Sequence, residues 1–283
     1  LSLSLHQFAG EVAGGGGPLE MDDHLVLHEV DGEGRLVAIV LFDLEDQDAA
    51  WNELDARFVA GEGSRLANWF VPVVQSLNSR DWSGLAAFYA PTLVEYDHRR
   101  ITGIGTTRGR DTWVEKNVRV WVDLAPDIVF HFPHLRLCDR GALYQNSLQG
   151  SREGGRFEIA FASVCELDEQ GRWQRIDVYD LDQLDDTRAR FAELTRAPNA
   201  PERFANAATA TVAPVIACMV AHDWPGFTQL FAEHFRMSDR RRVVQLEMDR
   251  DQYVAFTREI ADGRAIRARS EIVATRGERL ALT

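Results

Sequence analysis

The sequence predicts an α+β protein built from tandem units, each with helices packed on a curved antiparallel sheet. Two observations predict this class. Within about 140 residues, segments with helical spacing come first and segments of alternating polar and apolar residues follow. The same order of short motifs then recurs along the chain, which is typical of a duplicated unit.

The copied motifs lie at nearly one spacing from their originals. An Asp-Trp pair begins at Asp81 and again at Asp223, 142 residues later. An Asp-Gly turn begins at Asp31, and a similar one begins at Asp168, 137 residues later. Matches in one order at nearly one spacing indicate a unit of about 140 residues. The other pairs are Asp97-His98-Arg99-Arg100 with Asp239-Arg240-Arg241-Arg242, and Arg110-Asp111 with Arg250-Asp251.

This spacing predicts three parts of the chain. Residues 60–195 form a complete unit, residues 1–59 are the C-terminal part of a preceding unit, and residues 200–283 are the N-terminal part of a following unit. The last part lacks the strands that the first could supply. We therefore expect the two ends to pair, within one chain or between chains, because exposed strand edges seek partners. A homodimer is one form of this pairing.

Within the complete unit, the hydrophobic pattern places helices before strands. Apolar residues recur at helical spacing up to Pro126, which ends the last of these helices. Beyond it the period becomes two, and Asp- and Gly-rich turns separate the β-rich segments. The predicted helices cover about 48–58, 64–78, a short stretch around Leu85, and 111–124; the predicted strands cover 93–99, 127–138, 142–149, 157–167 and 173–180.

Composition and charge exclude several classes of function. The chain has 283 residues, of which 45% are hydrophobic, and 31 basic against 44 acidic residues give a net charge of −13. Such an acidic chain repels nucleic acids and anionic membranes, so we expect neither as a partner. Three cysteines without a C-x-x-C motif predict a reducing, cytoplasmic location, and the chain reads as a piece of a longer protein. We predict no cofactor and no metal, because no carboxylate joins His131, His134 and Cys138.

The order of motifs resembles the NTF2-like, or SnoaL-like, superfamily, whose members have a conical α+β fold with a cavity between helices and sheet. The tandem arrangement is also similar to that of uncharacterised actinobacterial regulatory proteins. The superfamily contains isomerases, cyclases and hydrolases as well as members that only bind ligands, so the fold does not decide the function. The motifs that carry the resemblance are Leu77-Asn78-x-x-Asp81-Trp82-x-Gly84, Phe88-Tyr89-Ala90, the strand ending in Asp97-His98-Arg99, Gly109-Arg110-Asp111 and Asp168-x-x-Gly171-Arg172.

The resemblance to ketosteroid isomerases within this superfamily places Asp97 at the position of the catalytic base. The positions of the two oxyanion donors fall on Val73 and Ser163, which do not supply an acidic donor pair. Steroid isomerisation by that mechanism is therefore disfavoured. We predict a non-catalytic small-molecule-binding or assembly module of a larger bacterial regulatory protein. The alternative is an isomerase, cyclase or hydrolase that uses Asp97 as general base.

The candidate site residues fall into two sets. Asp97 and Arg99 share one face of a strand, with His98 on the other face, and these three are the catalytic candidates. The alternative for Asp97 and Arg99 is a structural ion pair on the sheet. The ligand-binding candidates are apolar or polar side chains expected to face a cavity or a sheet surface: Trp113, Trp121, Tyr144, Arg175, Asp177 and Tyr179.

Overall fold

A computed structural model of the chain describes residues 8–10, 19–21, 23–64, 67–100, 105–195, 205–261 and 270–283. The chain forms two compact units. Leu1–Glu62 and Phe204–Thr283 together make one, which we call the terminal unit, and Gly63–Arg203 makes the other, the central unit. No helix in the described ranges is long and apolar enough to cross a bilayer.

Both units combine helices with strands, as the sequence predicts. The strands are β1 (Phe8–Gly10), β2 (Leu19–Met21), β3 (His24–Val30), β4 (Leu36–Asp43), β5 (Tyr89–Asp97), β6 (Thr106–Arg108), β7 (Val129–His131), β8 (His134–Cys138), β9 (Gly141–Arg152), β10 (Gly155–Leu167), β11 (Trp173–Tyr179), β12 (Phe231–Asp239), β13 (Leu246–Asp249), β14 (Ala274–Arg276) and β15 (Leu280–Leu282). The helices are α1 (Gln47–Ala60), α2 (Ala67–Ser79), α3 (Trp82–Ala87), α4 (Arg110–Trp113), α5 (Val120–Leu124), α6 (Leu184–Thr195), α7 (Ala207–Ala221), α8 (Trp224–Gln229) and α9 (Arg250–Ala261). Short 3₁₀ turns at Leu44–Asp46 and Leu181–Gln183 precede α1 and α6, and a π-helical turn, Val114–Arg119, separates α4 from α5.

The central unit is a curved, largely antiparallel sheet in the order β8-β9-β10-β11-β5-β6, with β7 also paired to β9. One pair, β5 with β11, is parallel. Helix α2 and the segment from α4 to α5 lie on one face, and α6 packs against β9, β10 and β11 on the other. The α+β class is confirmed, and the unit also has a helix on the second face of its sheet.

The terminal unit draws its strands from two distant parts of the chain. Its sheet has the order β13-β12-β4-β3-β15-β14, so that β3 and β4 lie between strands from beyond residue 230. The pair β4 with β12 is parallel, and β3 pairs with β15 in antiparallel fashion. Helix α1 packs on this sheet rather than on that of the central unit. The strands that the sequence analysis assigned to residues 1–59 are thus continuous with those of residues 200–283, although residues 1–7, 11–18 and 22 lie outside the described residues.

The parallel strand pair has the same register in both units. In the central unit Glu95 lies opposite Ile176 and Asp97 opposite Val178. In the terminal unit Met237 lies opposite Ile39 and Asp239 opposite Leu41. Offsets of 142 residues on one strand and 137 on the other, which are the offsets of the sequence motifs, therefore reproduce the pairing residue by residue.

The repeated Asp-Trp motif begins a short helix in each unit. The Asp81 carboxylate accepts the backbone N–H of Gly84 at 2.9 Å, and Asp223 accepts that of Gly226 at 3.0 Å. These bonds satisfy a donor that the first helical turn leaves without an intrahelical partner.

Replacing either of these aspartates by alanine should cost about 1 kcal/mol of stability, because the cap is lost while the helix remains. Asp81→Ala and Asp223→Ala should give similar losses in urea denaturation followed by circular dichroism. Asp81→Asn is the matched control, since asparagine also caps helices. A loss in Asp81→Asn as large as that in Asp81→Ala would contradict the capping role.

Candidate functional site

A pocket of about 90 Å³ lies between the helices and the sheet of the central unit. Helix α2 contributes Val73 and Leu77, and the helical segment after Gly109 forms another wall. Ile176 and Val178 on β11 face it from the sheet. Aromatic rings make up much of the remaining lining: Tyr89, Trp113, Trp121, Phe130, Phe132, Tyr144, Phe161 and Trp173. Such a mainly apolar lining with few polar groups is typical of small-molecule sites.

Glu95 is the buried acid of this pocket. It lies on β5, is only 5% exposed, and accepts a 2.6 Å hydrogen bond from Nε1 of Trp113. Its other oxygen is in contact with the Asn117 side-chain amide, which also reaches Thr107. Burial raises the pKa of Glu95 to about 7; nearby Asp97 raises it further, while the two donors and Arg99 oppose the rise. The pocket therefore has an acid that changes charge near neutral pH.

A π-helical turn brings Asn117 to this acid. The sequence predicts one continuous helix over 111–124, but the structure widens its middle into the π turn Val114–Arg119. In this turn Lys116, Asn117 and Val118 all line the pocket, with Trp113 before it and Trp121 after it. The corresponding helix of the terminal unit, α9, is α-helical throughout. Isolated π turns are frequent at functional sites, which is consistent with a site here.

Asp97 does not present its carboxylate to the pocket. Its side chain has no exposed surface, and both oxygens accept from the Arg99 guanidinium, each at 2.9 Å. Arg99 lines the pocket and lies over the Phe161 ring at 4.7 Å from its centre. The terminal unit contains the same arrangement, Asp239 with Arg241. This geometry is that of the structural ion pair that the sequence left open as the alternative to a catalytic base.

A second cluster of predicted residues lies on the opposite face of the sheet. Asp177 is buried there and accepts from Arg175 at 2.7 and 2.8 Å, from Arg190 of α6 at 2.9 Å, and pairs with His98 at 3.0 Å. The Tyr179 ring stacks on His98 at 4.6 Å. Because strand side chains alternate between faces, these residues do not meet Asp97 and Arg99 in one site. The structure thus separates the polar set that the sequence analysis considered for hydrolysis.

The three aromatic candidates do come together. Trp113 and Tyr144 are buried in the wall of the pocket, and Trp121 is half-buried there. The Tyr144 hydroxyl lies 3.1 Å from the Cys165 sulfur, and burial holds the pKa values of both groups well above their usual range. Both therefore remain neutral and act as wall rather than as acids or bases.

Sequence reasoning missed Glu95 and named Asn117 only as a helix-face position. Glu95 has the same parity as Asp97 and Arg99 on the predicted strand, so it shares their face. Its partner Trp113 was already a candidate. A charged residue on a strand face that otherwise carries Leu93 is the signal that could have found it.

The terminal unit fills the equivalent space with side chains. Met237 stands where the central unit has Glu95, and Tyr253 stands where it has Trp113, by the offsets above. Both pack into an apolar cluster that also contains Phe227, Phe231 and Phe235. The acid is therefore a property of the central unit.

No group of three His, Cys, Asp or Glu side chains in the described ranges is arranged to hold a metal ion.

The raised pKa of Glu95 predicts how stability depends on pH. A carboxyl whose pKa is higher in the folded than in the unfolded chain stabilises the fold at low pH, and this contribution is lost as the pH rises to about 7. Glu95→Gln, which removes the titration, should gain about 2–3 kcal/mol relative to the wild type between pH 5 and pH 8. Urea denaturation at both pH values measures it. A difference that does not change with pH would contradict the assignment.

No protein-family model and no curated protein sequence matches this chain. Solved structures do resemble it in part. TerC co-crystallised with polyporic acid is 14% identical over 45% of this chain and 95% of that one, with a TM-score of 0.34. A putative polyketide cyclase from Sinorhizobium meliloti is 15% identical over 38% and 88%, with a TM-score of 0.31. An NTF2-like protein of unknown function from Burkholderia pseudomallei is 16% identical over 50% and 98%, with a TM-score of 0.33. At these identities and TM-scores the likenesses carry no argument about function.

Proposed function

We propose that the central unit is an NTF2-like ligand-binding module that takes up a small, mainly apolar molecule in its pocket. The observation that carries the proposal is a buried carboxyl, Glu95, in the wall of an aromatic pocket. Apolar walls supply affinity and a few polar groups fix orientation in sites of this kind. A carboxyl in the wall of a pocket whose counterpart is packed solid in the other unit is hard to explain as core filling.

The proposal is for binding without catalysis. The base suggested by the sequence, Asp97, is engaged by both donors of Arg99 and is absent from the pocket lining. Val73 and Ser163 line the pocket at the places where an isomerase would need strong donors, and Ser163 instead accepts from Asn146 at 2.9 Å. The catalytic alternative would require Asp97 to leave Arg99.

The remaining elements of the proposal come from the sequence. We take the terminal unit as a scaffold of the same kind, since its equivalent cavity is occupied by Met237 and its neighbours. The module would belong to a larger bacterial regulatory protein in the cytoplasm, as a homodimer or through pairing between units. Sedimentation equilibrium of the purified chain tests the dimer directly.

Ligand binding can be tested by closing the entrance of the pocket. Val120 lines the pocket and is 47% exposed, so Val120→Trp should block entry without disturbing the core. Val220 is 49% exposed on α7 of the terminal unit, and Val220→Trp is the matched control. We expect 1-naphthol to raise the melting temperature of the wild type and of Val220→Trp but not that of Val120→Trp.

The probe panel for this experiment should also include neutral aliphatic molecules. A wild-type protein that none of the probes stabilises would refute ligand binding. Equal shifts in Val120→Trp and Val220→Trp would place binding outside this pocket and would refute the proposed site.

A further inference from the structure

The apolar lining of the pocket continues onto the protein surface. Val120 belongs to the lining and is nevertheless half exposed. Leu124, one turn further along α5, is 38% exposed. Residues four apart share one face of a helix, so these two side chains form a short apolar strip leading away from the entrance. We call it the exit strip.

The pocket is too small to enclose a typical ligand. Its volume of about 90 Å³ is below the roughly 150 Å³ of an engineered protein cavity that accepts benzene. Ligand sites for larger molecules commonly measure about 300–1,000 Å³. A molecule of more than a few heavy atoms must therefore extend past the entrance, where the exit strip offers it an apolar surface.

The inner end of the pocket is polar but does not favour an anion. Asp97 and Arg99 neutralise each other, which leaves Glu95 as the group that sets the local charge. The charge there is zero when Glu95 is protonated and negative when it is not. The side-chain oxygen of Asn117 is buried and, among the described residues, has no hydrogen-bond partner. This end is suited to an uncharged group that donates or accepts a hydrogen bond.

On the basis of the proposed function, we infer that the ligand is a neutral amphiphile. Its uncharged hydrogen-bonding end meets Glu95 and Asn117, and its aliphatic chain leaves the pocket over the exit strip of Val120 and Leu124. A medium-chain ketone or alcohol is the simplest molecule of this class.

The protonation state of Glu95 distinguishes ketones from alcohols. A protonated carboxyl donates to a carbonyl oxygen, whereas a carboxylate only accepts. The groups facing Glu95 are Trp113 and Asn117 from the helical segment, Asp97 and Arg99 from its own strand, Thr107 from β6, and the neutral Tyr89 and Cys165. Lys116 is exposed at the entrance. A ketone therefore loses its donor as Glu95 ionises, while an alcohol donates to the carboxylate instead.

The head-group test compares 2-octanone, 1-octanol and octanoate by calorimetric titration at pH 6 and pH 8. We expect the two neutral probes to bind at least tenfold more tightly than octanoate at pH 6. The affinity for 2-octanone should fall about tenfold at pH 8, because about one molecule in eleven then keeps the proton on Glu95. The affinity for 1-octanol should change less than threefold. Glu95→Gln keeps an N–H donor, so it should bind 2-octanone equally at both pH values.

The chain test compares 2-pentanone, 2-hexanone and 2-octanone. Each added methylene should raise the affinity for the wild type about two- to fourfold if it is buried on the exit strip. The double variant Val120→Ser with Leu124→Ser should lose this dependence, and Val220→Ser in the terminal unit should keep it. Equal slopes in all three proteins would overturn the chain path.

Failure of this inference and failure of the proposed function give different results. If no probe binds the wild type, the proposed function falls. If octanoate binds most tightly and Lys116→Gln abolishes its binding, the pocket still binds ligands, but with the polar end outward, and the inference is wrong.

Discussion

Replacing Arg99 by methionine should lower the free energy of unfolding by about 3–5 kcal/mol. The Arg99 side chain is 8% exposed and that of Asp97 is not exposed at all, so the substitution withdraws the guanidinium from a fully buried carboxylate. A buried charge that loses its compensating partner cannot recover the lost energy from water. Urea denaturation followed by far-ultraviolet circular dichroism measures the loss.

Two further variants make the result specific. Arg241→Met removes the corresponding guanidinium of the terminal unit, where Asp239 is 4% exposed, and should be similarly destabilising. Arg100→Met removes an exposed pair with Asp182 and should cost less than about 1 kcal/mol. A loss in Arg99→Met no larger than that in Arg100→Met would show that Asp97 does not depend on Arg99, and would reopen its assignment as a catalytic base.

Replacing Asp177 by alanine should also lower the free energy of unfolding by about 3–5 kcal/mol. This carboxylate is 1% exposed and accepts from Arg175 and Arg190 while pairing with His98, so its removal leaves positive charge gathered around a buried gap. Arg190 joins α6 to the sheet through this contact, and it also binds Glu166 at 2.6 Å. We expect α6 to lose protection from hydrogen exchange before the rest of the central unit.

The effect of Asp177→Ala should depend on pH. Burial alone would raise the pKa of Asp177, but its hydrogen bonds with Arg175, His98 and Arg190 outweigh burial and lower the pKa below 3.8. A carboxyl with a lowered pKa stabilises the fold above pH 4 and loses this contribution as the pH falls. The difference between wild type and variant should therefore shrink towards pH 3. Asp182→Ala, an exposed carboxylate on the same loop, is the control and should change stability by less than about 1 kcal/mol.

The sequence predicts the fold well because its information is periodic. Alternation along 93–99 and 173–180 identifies which side chains share a face, and the structure pairs these strands in one register with their counterparts in the terminal unit. Periodicity does not say which strands become neighbours. The parallel pairs and the attachment of α1 to the terminal unit depend on contacts between distant residues, and sequence spacing does not contain them.

The candidate site was predicted only in part, for a similar reason. The sequence places Asp97 and Arg99 on one face, but only the structure shows that the guanidinium closes on both carboxylate oxygens. Glu95 acquires its raised pKa from burial beside Trp113, a neighbour 18 residues away. The π turn that delivers Asn117 arises from packing, because helical propensity does not favour such turns.

The divided sheet of the terminal unit has a consequence for biosynthesis. Strand β4 leaves the ribosome long before its neighbours, since β15, which completes the sheet beside β3, follows about 240 residues later. At typical translation rates of about 5–20 residues per second this delay is roughly 10–50 s, during which the whole central unit can fold. The nascent apolar strands must wait with bare edges through that interval, so trigger-type chaperones should retain this polypeptide longer than one whose neighbouring strands follow each other directly.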